Sequence, residues 1–402
     1  MLKVEEARHQ ILAAVQPLSS IRVDLISAVG HVLAAPIVAR RALPPWDNSA
    51  MDGYAVRAGE IEAGATLPVS QQIPAGTAPA PLVEGTVARI FTGAPMPPGA
   101  DSVVMQENTT APSADLGTPH ITFTEAALLG RHVRRRGEDV TEGAEVLSAG
   151  RVLAPGDIAL AASQGRSQLS VVRPPQVAIV SSGDELVDVD AGPPGPGQIV
   201  NSNVLAIAAA VSALGAHPRV LPIIPDDRQA TFKALAEAAS ADVLITSGGV
   251  SVGEHDHVGH VIKALAGESF AFWKVAIKPG KPLIFGHIGR CATFGLPGNP
   301  VSALVTFELF VKPALLRMMG HTDVQPRFQW AVLDAPLRGG GSREQYIRVG
   351  SHHDAEGRLH VTPRKQQSSG ALSSIGGADA LVRVPIDSPP FAAGDRIEAL
   401  PL

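Results

Sequence analysis

Cysteine is nearly absent from this sequence: Cys291 is the only one in 402 residues. No disulfide can close within the chain, and a zinc site built on several cysteines is excluded. A reducing compartment fits that usage. Aromatic residues are scarce as well, at 4%, where a platform that stacks successive bases needs more of them. Nor is there an excess of positive charge: Lys and Arg number 33 against 38 Asp and Glu, a formal charge of −5. A general polyanion binder carries the opposite sign, so no nucleic-acid partner is expected. Long apolar runs are missing too. The longest, residues 204–216, is broken by Ser212 and Gly215 and is shorter than the roughly 20 residues that cross a bilayer. The opening MLKVEEARHQILAAV mixes acids and bases where a signal peptide keeps an apolar core. No membrane partner is expected, and the expected location is cytoplasmic.

What is abundant is glycine, 40 residues, and proline, 34, which implies many turns and β-rich modules. A chain of this length divides into two to four domains. Val4, Ala7, Ile11, Leu12 and Val15 recur at helical spacing and predict a helix over 4–15, with a second over 25–34. Pro44 and Pro45 then punctuate the chain. Over 46–141, short β-branched runs such as 86–91 and 102–106 alternate with Pro/Gly clusters, the pattern of a small all-β module, and 109–120 reads as a surface loop. Residues 142–172 read as an extended linker with a short helix over 156–163. Between 173 and 320, apolar strands at 176–181, 220–224 and 242–246 alternate with helical stripes such as Val204, Ile207, Val211 and Leu214. That pattern predicts a mostly parallel sheet with helices on both faces. Residues 321–402 lose helical periodicity and carry short strands at 345–349, 359–361 and 381–384, which predicts a β-barrel.

Open parallel sheets bind ligands beyond the carboxyl ends of their strands. Here those ends carry Ser181-Ser182-Gly183-Asp184-Glu185, Pro225-Asp226-Asp227, and a loop running from Ser247-Gly248-Gly249-Val250-Ser251 to His255-Asp256. Glycine lets backbone N–H groups approach an anion closely. Converging carboxylates repel unless a hard cation separates them, which implies Mg²⁺. Lys274, Lys278 and Lys281 bring three point charges suited to phosphate or another oxyanion. Pro297-Gly298-Asn299-Pro300 makes a rigid turn into a helix that the side chain of Asn299 or Ser302 would cap, leaving N–H groups for an anion. Taken singly, each feature has an ordinary reading: Asp226 as a turn residue, Gly248-Gly249 as a turn, the lysines and Arg134-Arg135-Arg136 as solvated charge. His255 and His257 beside Asp256 are weak as metal ligands on spacing alone. The recurrence of such loops at three successive strand ends favours nucleotide or phosphate chemistry.

PWDNSAMDGYAV (45–56), FTGAPMPPGAD (91–101), RGED (136–139), SGDEL (182–186), SGGVSVGEHD (247–256), KVAIKPGKP (274–282) and GLPGNPVS (295–302) together resemble the signatures of the molybdopterin molybdenumtransferases, the MoeA and gephyrin E-domain family. The motifs stand in the family's order and run from the N-terminal region to the last domain. The resemblance implies a multidomain α/β plus β protein. An extended linker domain (1–45 and 142–172) would carry an inserted β-module (46–141), followed by a central molybdopterin-binding α/β domain (173–320) and a C-terminal β-barrel (321–402). It implies insertion of molybdenum from molybdate into adenylated molybdopterin, with Mg²⁺-dependent release of AMP. It also implies a homodimer whose active site is shared between subunits, and the molybdopterin adenylyltransferase as a candidate partner.

Carried over by motif, Asp52, Thr92 and Asp139 would serve the partner subunit's side of the cleft. Glu185, Asp226 and Asp256 would position metal and ligand, and Lys274 and Lys278 would contact oxyanions. Substrate binding falls to Ser182, Gly183, Ser247, Gly248, Gly249, Ser251, Lys281, Pro297, Gly298, Asn299, Pro300, Arg348 and Ser369. There are departures: Ser368 stands between Gln367 and Ser369 where the family usually has Gly, and Trp46 replaces the commoner Phe. Which of the adjacent Asp226 and Asp227 faces the ligand is open, since neighbours in an extended segment point to opposite sides. Two other readings compete. A pyrophosphate-hydrolysing relative would not need the MDGYA and FTGAPMPPGA motifs, and a gephyrin-like scaffold would not need the acids and lysines.

Overall fold

The apolar run at 176–181 forms a strand, Gln176–Ser181, in which every residue but Gln176 is buried. In the computed structural model, which describes residues 1–110, 118–250 and 257–402, it lies within the first of two compact units. That unit comprises 1–34, 150–154 and 168–402; the second comprises 35–149 and 155–167. The strand joins a six-stranded sheet ordered His217–Val220, Gln176–Ser181, Val243–Ser247, Cys291–Leu296, Pro282–Ile288, Ala271–Lys274. The first four run parallel, Pro282–Ile288 runs antiparallel to them, and Ala271–Lys274 runs antiparallel to Pro282–Ile288.

Successive residues of a strand point to opposite faces, and both faces are covered here. Val177 and Ile179 pack with Val204, Ile207 and Val211 of the helix Ser202–Ala213. Ala178 and Val180 pack with Leu235, Val258, Val261 and Ile262 of the helices Arg228–Ala238 and His257–Ala266. The N-terminal helix Val4–Ala14 sets Val4, Ala7 and Ile11 into the first of these clusters, beside Phe307 and Phe310.

Beyond the sheet, Glu344–His353, Leu359–Pro363, Gln329–Leu333, Arg396–Pro401 and Ala380–Val384 pair in that order, and the last pairs back onto the first. This closed five-stranded barrel surrounds Leu333, Val349, Val361, Val382 and Ile397. The multidomain α/β-plus-barrel class expected from the sequence is thus the observed one.

Two expected elements differ. Residues 25–34 form turns rather than a helix. The Asp24 carboxylate accepts from both the N–H and the hydroxyl of Ser27, a local bond that competes with helix. Gly30 then adopts φ 82°, and Val32 and Leu33 bridge to Val152 and Val171. The strand expected at 220–224 lies at His217–Val220 instead. Gly215, at φ 84°, ends the preceding helix early, and Pro222 and Pro225 lack the N–H a ladder needs.

In the second unit, five strands are ordered Ser102–Met105, Gly53–Val56, Val87–Ile90, Thr66–Ile73, His120–Thr122. Tyr54 meets Phe123 edge to face in its core. The short helix Pro155–Ser163 stands where the sequence predicts one. Among the described residues no helix is long and apolar enough to cross a membrane.

Candidate active site

From Gln176–Ser181 the chain moves to the sheet edge at His217–Val220 and then returns to the other side at Val243–Ser247. The carboxyl ends of the first and third of these strands therefore form a switch point, where open α/β sheets leave a crevice. Gly248 and Gly249 turn there at φ 91° and 66°, values that side chains rarely adopt. A cavity of about 1050 Å³ opens at this point, with Ser182, Glu185, Gly248 and Gly249 on the strand-end side.

The lysine segment reaches it by crossing from sheet to barrel. Lys274 ends a sheet strand and its carbonyl accepts from the Leu2 N–H. Ile277–Lys278 then pairs with Glu344 and Gln345 of the barrel. Tethered at both ends, the segment turns Lys274, Lys278 and Lys281 toward the cavity, and Arg343 and Arg348 enter from the barrel. Among the described lining residues these five cations face one carboxylate, Glu185. The cavity is built for anions.

Arg348 is 1% exposed. Its Nε donates to the Ser374 hydroxyl at 3.2 Å and its Nη2 to the Ser368 carbonyl at 3.1 Å, both neutral acceptors. Burial lowers its pKa from the usual guanidinium value. Among the described residues this buried cation is paired with dipoles alone, which is costly, and an anionic ligand offsets that cost. Gln367, which sequence reasoning missed, holds this loop. Its side chain accepts from the Arg348 N–H at 3.1 Å and donates to the Arg348 and Arg364 carbonyls at 2.9 Å each.

Pro297, Gly298, Asn299 and Ser369 also line the cavity, but the expected capping is not what forms. Asn299 occupies the cap position of the helix Pro300–Thr306 without a side-chain cap bond, and Ser302 lies inside the helix. The Val301 N–H in its first turn donates to the Ser369 carbonyl at 3.2 Å. A barrel loop thus uses one of the N–H groups the sequence offered to an anion.

Gly183, Asp226, Ser247 and Pro300 are not among the lining residues. Gly183 lies beneath the Glu185 carboxylate, which a Cβ there would strike. Ser247 is buried, and its hydroxyl accepts from Asn203 Nδ2 at 3.0 Å. The same amide donates to the Gly298 carbonyl at 2.7 Å. Asn203 therefore ties two ligand loops together, and nothing local in the sequence marks it. Asp227 caps the helix Arg228–Ala238 through the Ala230 N–H at 2.7 Å, whereas the exposed Asp226 carboxylate caps no helix among the described residues. The Asp226 N–H donates to Asp184 Oδ1 at 3.1 Å. Ser251 and Asp256 lie outside the described residues, as does His255.

In the second unit, the N–H and the hydroxyl of Thr92 both donate to Asp52 Oδ1, at 2.7 and 2.8 Å. Those two bonds, with Arg89 nearby, hold the Asp52 carboxyl below the usual range. Gly53, next in the chain, tolerates no side chain, because a Cβ would collide with the Val104 carbonyl of the adjacent strand. Asp139 is exposed, and its N–H donates to the Leu43 carbonyl at 3.0 Å. The preceding arginines are held, not merely solvated: Arg135 Nη1 and the Arg136 N–H both donate to Asp47 at 2.7 Å.

Three family models match the chain in succession: the MoeA N-terminal region (domain I and II) over residues 2–165, a probable molybdopterin binding domain over 178–317, and the MoeA C-terminal region (domain IV) over 331–402. Molybdopterin molybdenumtransferase 2 of Mycobacterium tuberculosis (strain H37Rv) is 37% identical over 99% of both chains. The molybdopterin molybdenumtransferase of Nostoc sp. is 38% identical over 94% of this chain and 88% of its own length. The crystal structure of a molybdopterin biosynthesis MoeA protein from Pyrococcus horikoshii superposes with a TM-score of 0.86 at 29% identity, covering 100% of this chain and 99% of the other.

Proposed function

The chain belongs to the molybdopterin molybdenumtransferase family, transferases of molybdenum cofactor biosynthesis, and from that membership we propose its substrates and reaction. Molybdenum from molybdate enters the dithiolene of adenylated molybdopterin, and AMP is released. The observation that supports this best is the cavity where glycine loops at a switch point face five cations, one of them the buried Arg348. Molybdate is a tetrahedral dianion and needs cations or backbone donors. Lys274, Lys278 and Lys281 hold the oxyanions, Arg348 supplies a fixed fork, and Gly248 and Gly249 let backbone N–H groups approach a phosphate. Asn203 keeps the Ser247 and Gly298 loops in register.

Mg²⁺ uses one or two carboxylates and is completed by substrate phosphates and water, and the donors fit that mode. Glu185 is the carboxylate that lines the cavity among the described residues, and the family motif adds Asp226, outside that lining, and Asp256. These residues would hold the ion, which supplies neutralisation of the phosphoanhydride charge during cleavage. Asp52, Thr92 and Asp139 serve the cleft of a second subunit, and the molybdopterin adenylyltransferase is the proposed source of substrate.

The test is incubation of the purified chain with adenylated molybdopterin and Mg²⁺, with and without molybdate, followed by assay of AMP and metallated cofactor. AMP release that depends on molybdate is expected. Equal release without molybdate would turn the reading to a pyrophosphate hydrolase, and no release at all to a scaffold.

A further inference from the structure

On the barrel, away from this cavity, three adjacent strands each place a metal-type ligand on one patch. Asp334 follows the strand Gln329–Leu333, His352 lies on Glu344–His353, and His360 on Leu359–Pro363. The two histidines are direct cross-strand partners, their ring centroids 5.2 Å apart. We propose that Asp334, His352 and His360 bind a divalent transition-metal ion, of which Zn²⁺ fits best.

One ligand atom from each residue lies within 4.8 Å of the others. His360 Nδ1 is 2.9 Å from Asp334 Oδ1, and His352 Nδ1 is 3.7 Å from Asp334 Oδ2. Without a metal, His360 Nδ1 and Asp334 Oδ1 share a hydrogen bond; a bound ion would take the place of that proton, at bonds of about 2.0–2.1 Å to N or O. The surroundings have the form such a site requires. His360 Nε2 faces Asp354 Oδ2 at 3.1 Å. With the proton on Nε2, that carboxylate fixes the tautomer that leaves Nδ1 as a lone-pair donor, the carboxylate–histidine–metal arrangement.

Asp354 is itself anchored by Arg358, through the backbone N–H at 2.7 Å and Nε at 2.6 Å. The Thr362 hydroxyl orients Asp334 from Oδ2 at 2.6 Å. His352 and Thr362 also line a cavity of about 570 Å³, which leaves the His352 side of the site open to water or a small ligand. Two imidazoles and one carboxylate favour Zn²⁺, Co²⁺ or Ni²⁺ and disfavour Mg²⁺, which takes oxygen ligands. The site is chemically distinct from the one proposed for Mg²⁺.

The experiment uses the full chain, stripped with chelator and held in excess Mg²⁺ to occupy oxygen-ligand sites. Co²⁺ is added and followed by visible absorption, then Zn²⁺ by calorimetry. Wild-type protein should bind one ion of either metal with the absorption of a low-coordinate Co²⁺ site. Because His352 is more than half exposed, His352→Ala should keep the metal-free melting temperature and lose this binding. Asp354→Asn should weaken it by about 10–100-fold, the usual effect of losing a carboxylate behind a metal-bound histidine. The proposal is overturned if wild-type and His352→Ala titrate alike, or if wild-type binds neither Co²⁺ nor Zn²⁺.

Discussion

Lys278 and Arg348 reach the same cavity by different physics. Lys278 is exposed at the end of a two-residue strand, so its contact with a ligand stays open to solvent and is screened by salt. Arg348 is fixed among neutral acceptors with almost no exposure. Lys278→Ala should therefore leave folding unchanged and weaken molybdate binding by roughly tenfold at low ionic strength, the ~1.5 kcal/mol of a hydrogen bond to a charged group. The deficit should shrink as salt is added. Calorimetric titrations at two salt concentrations measure both effects, and equal affinities at low salt would make Lys278 a solvated surface residue. At this scale the sequence was a partial guide. The lysine spacing is visible in KVAIKPGKP, whereas Asn203 makes its bonds to residues 44 and 95 positions away, and no local pattern encodes them.

At the scale of elements, the two central parallel strands are clamped at the end opposite the cavity. Arg173 donates twice to Asp242, at 2.6 Å each, and the Gln176 N–H donates to the same carboxylate at 2.8 Å. Burial pushes the Asp242 carboxyl up, but the Arg173 and Gln176 bonds outweigh it and hold the group below the usual range. A depressed folded pKa gives stabilisation that is present above the unfolded value of about 3.9. That stabilisation is lost as pH falls through the folded value. Asp242→Asn should cost about 1–3 kcal/mol at neutral pH, with the gap to wild type narrowing from about pH 4 downward. Urea unfolding at pH 7 and pH 3 tests this, and a gap independent of pH would remove the charge from the account. The strands themselves were legible because their apolar runs are continuous. The turn at 25–34 was not, because a few hydrogen bonds around Asp24 outcompete a weak helical pattern.

For the whole molecule, the proposed sharing of sites between subunits is testable by complementation. Asp52→Asn and Glu185→Gln lie in different units of the chain and should each inactivate the protein. In mixed dimers of a shared isologous site, one of two sites is free of both changes. Mixing should then restore about a quarter of wild-type activity. No recovery would mean that each subunit carries its own complete site.

The sequence by itself determined the classes of the domains, the family, and most residues worth testing. These depend on hydrophobic period and on loop chemistry spanning a few neighbours. Only the tertiary structure decided which candidates share a cavity. It separated Asp226 from Asp227 by committing the latter to a helix cap, and it gave the Val301 N–H to the Ser369 carbonyl. It also aligned Asp334, His352 and His360 across three strands. Each of these outcomes rests on strand register and on contacts between distant segments. A shift of one residue in register reverses which side chains face each other, and no local stretch of sequence fixes it.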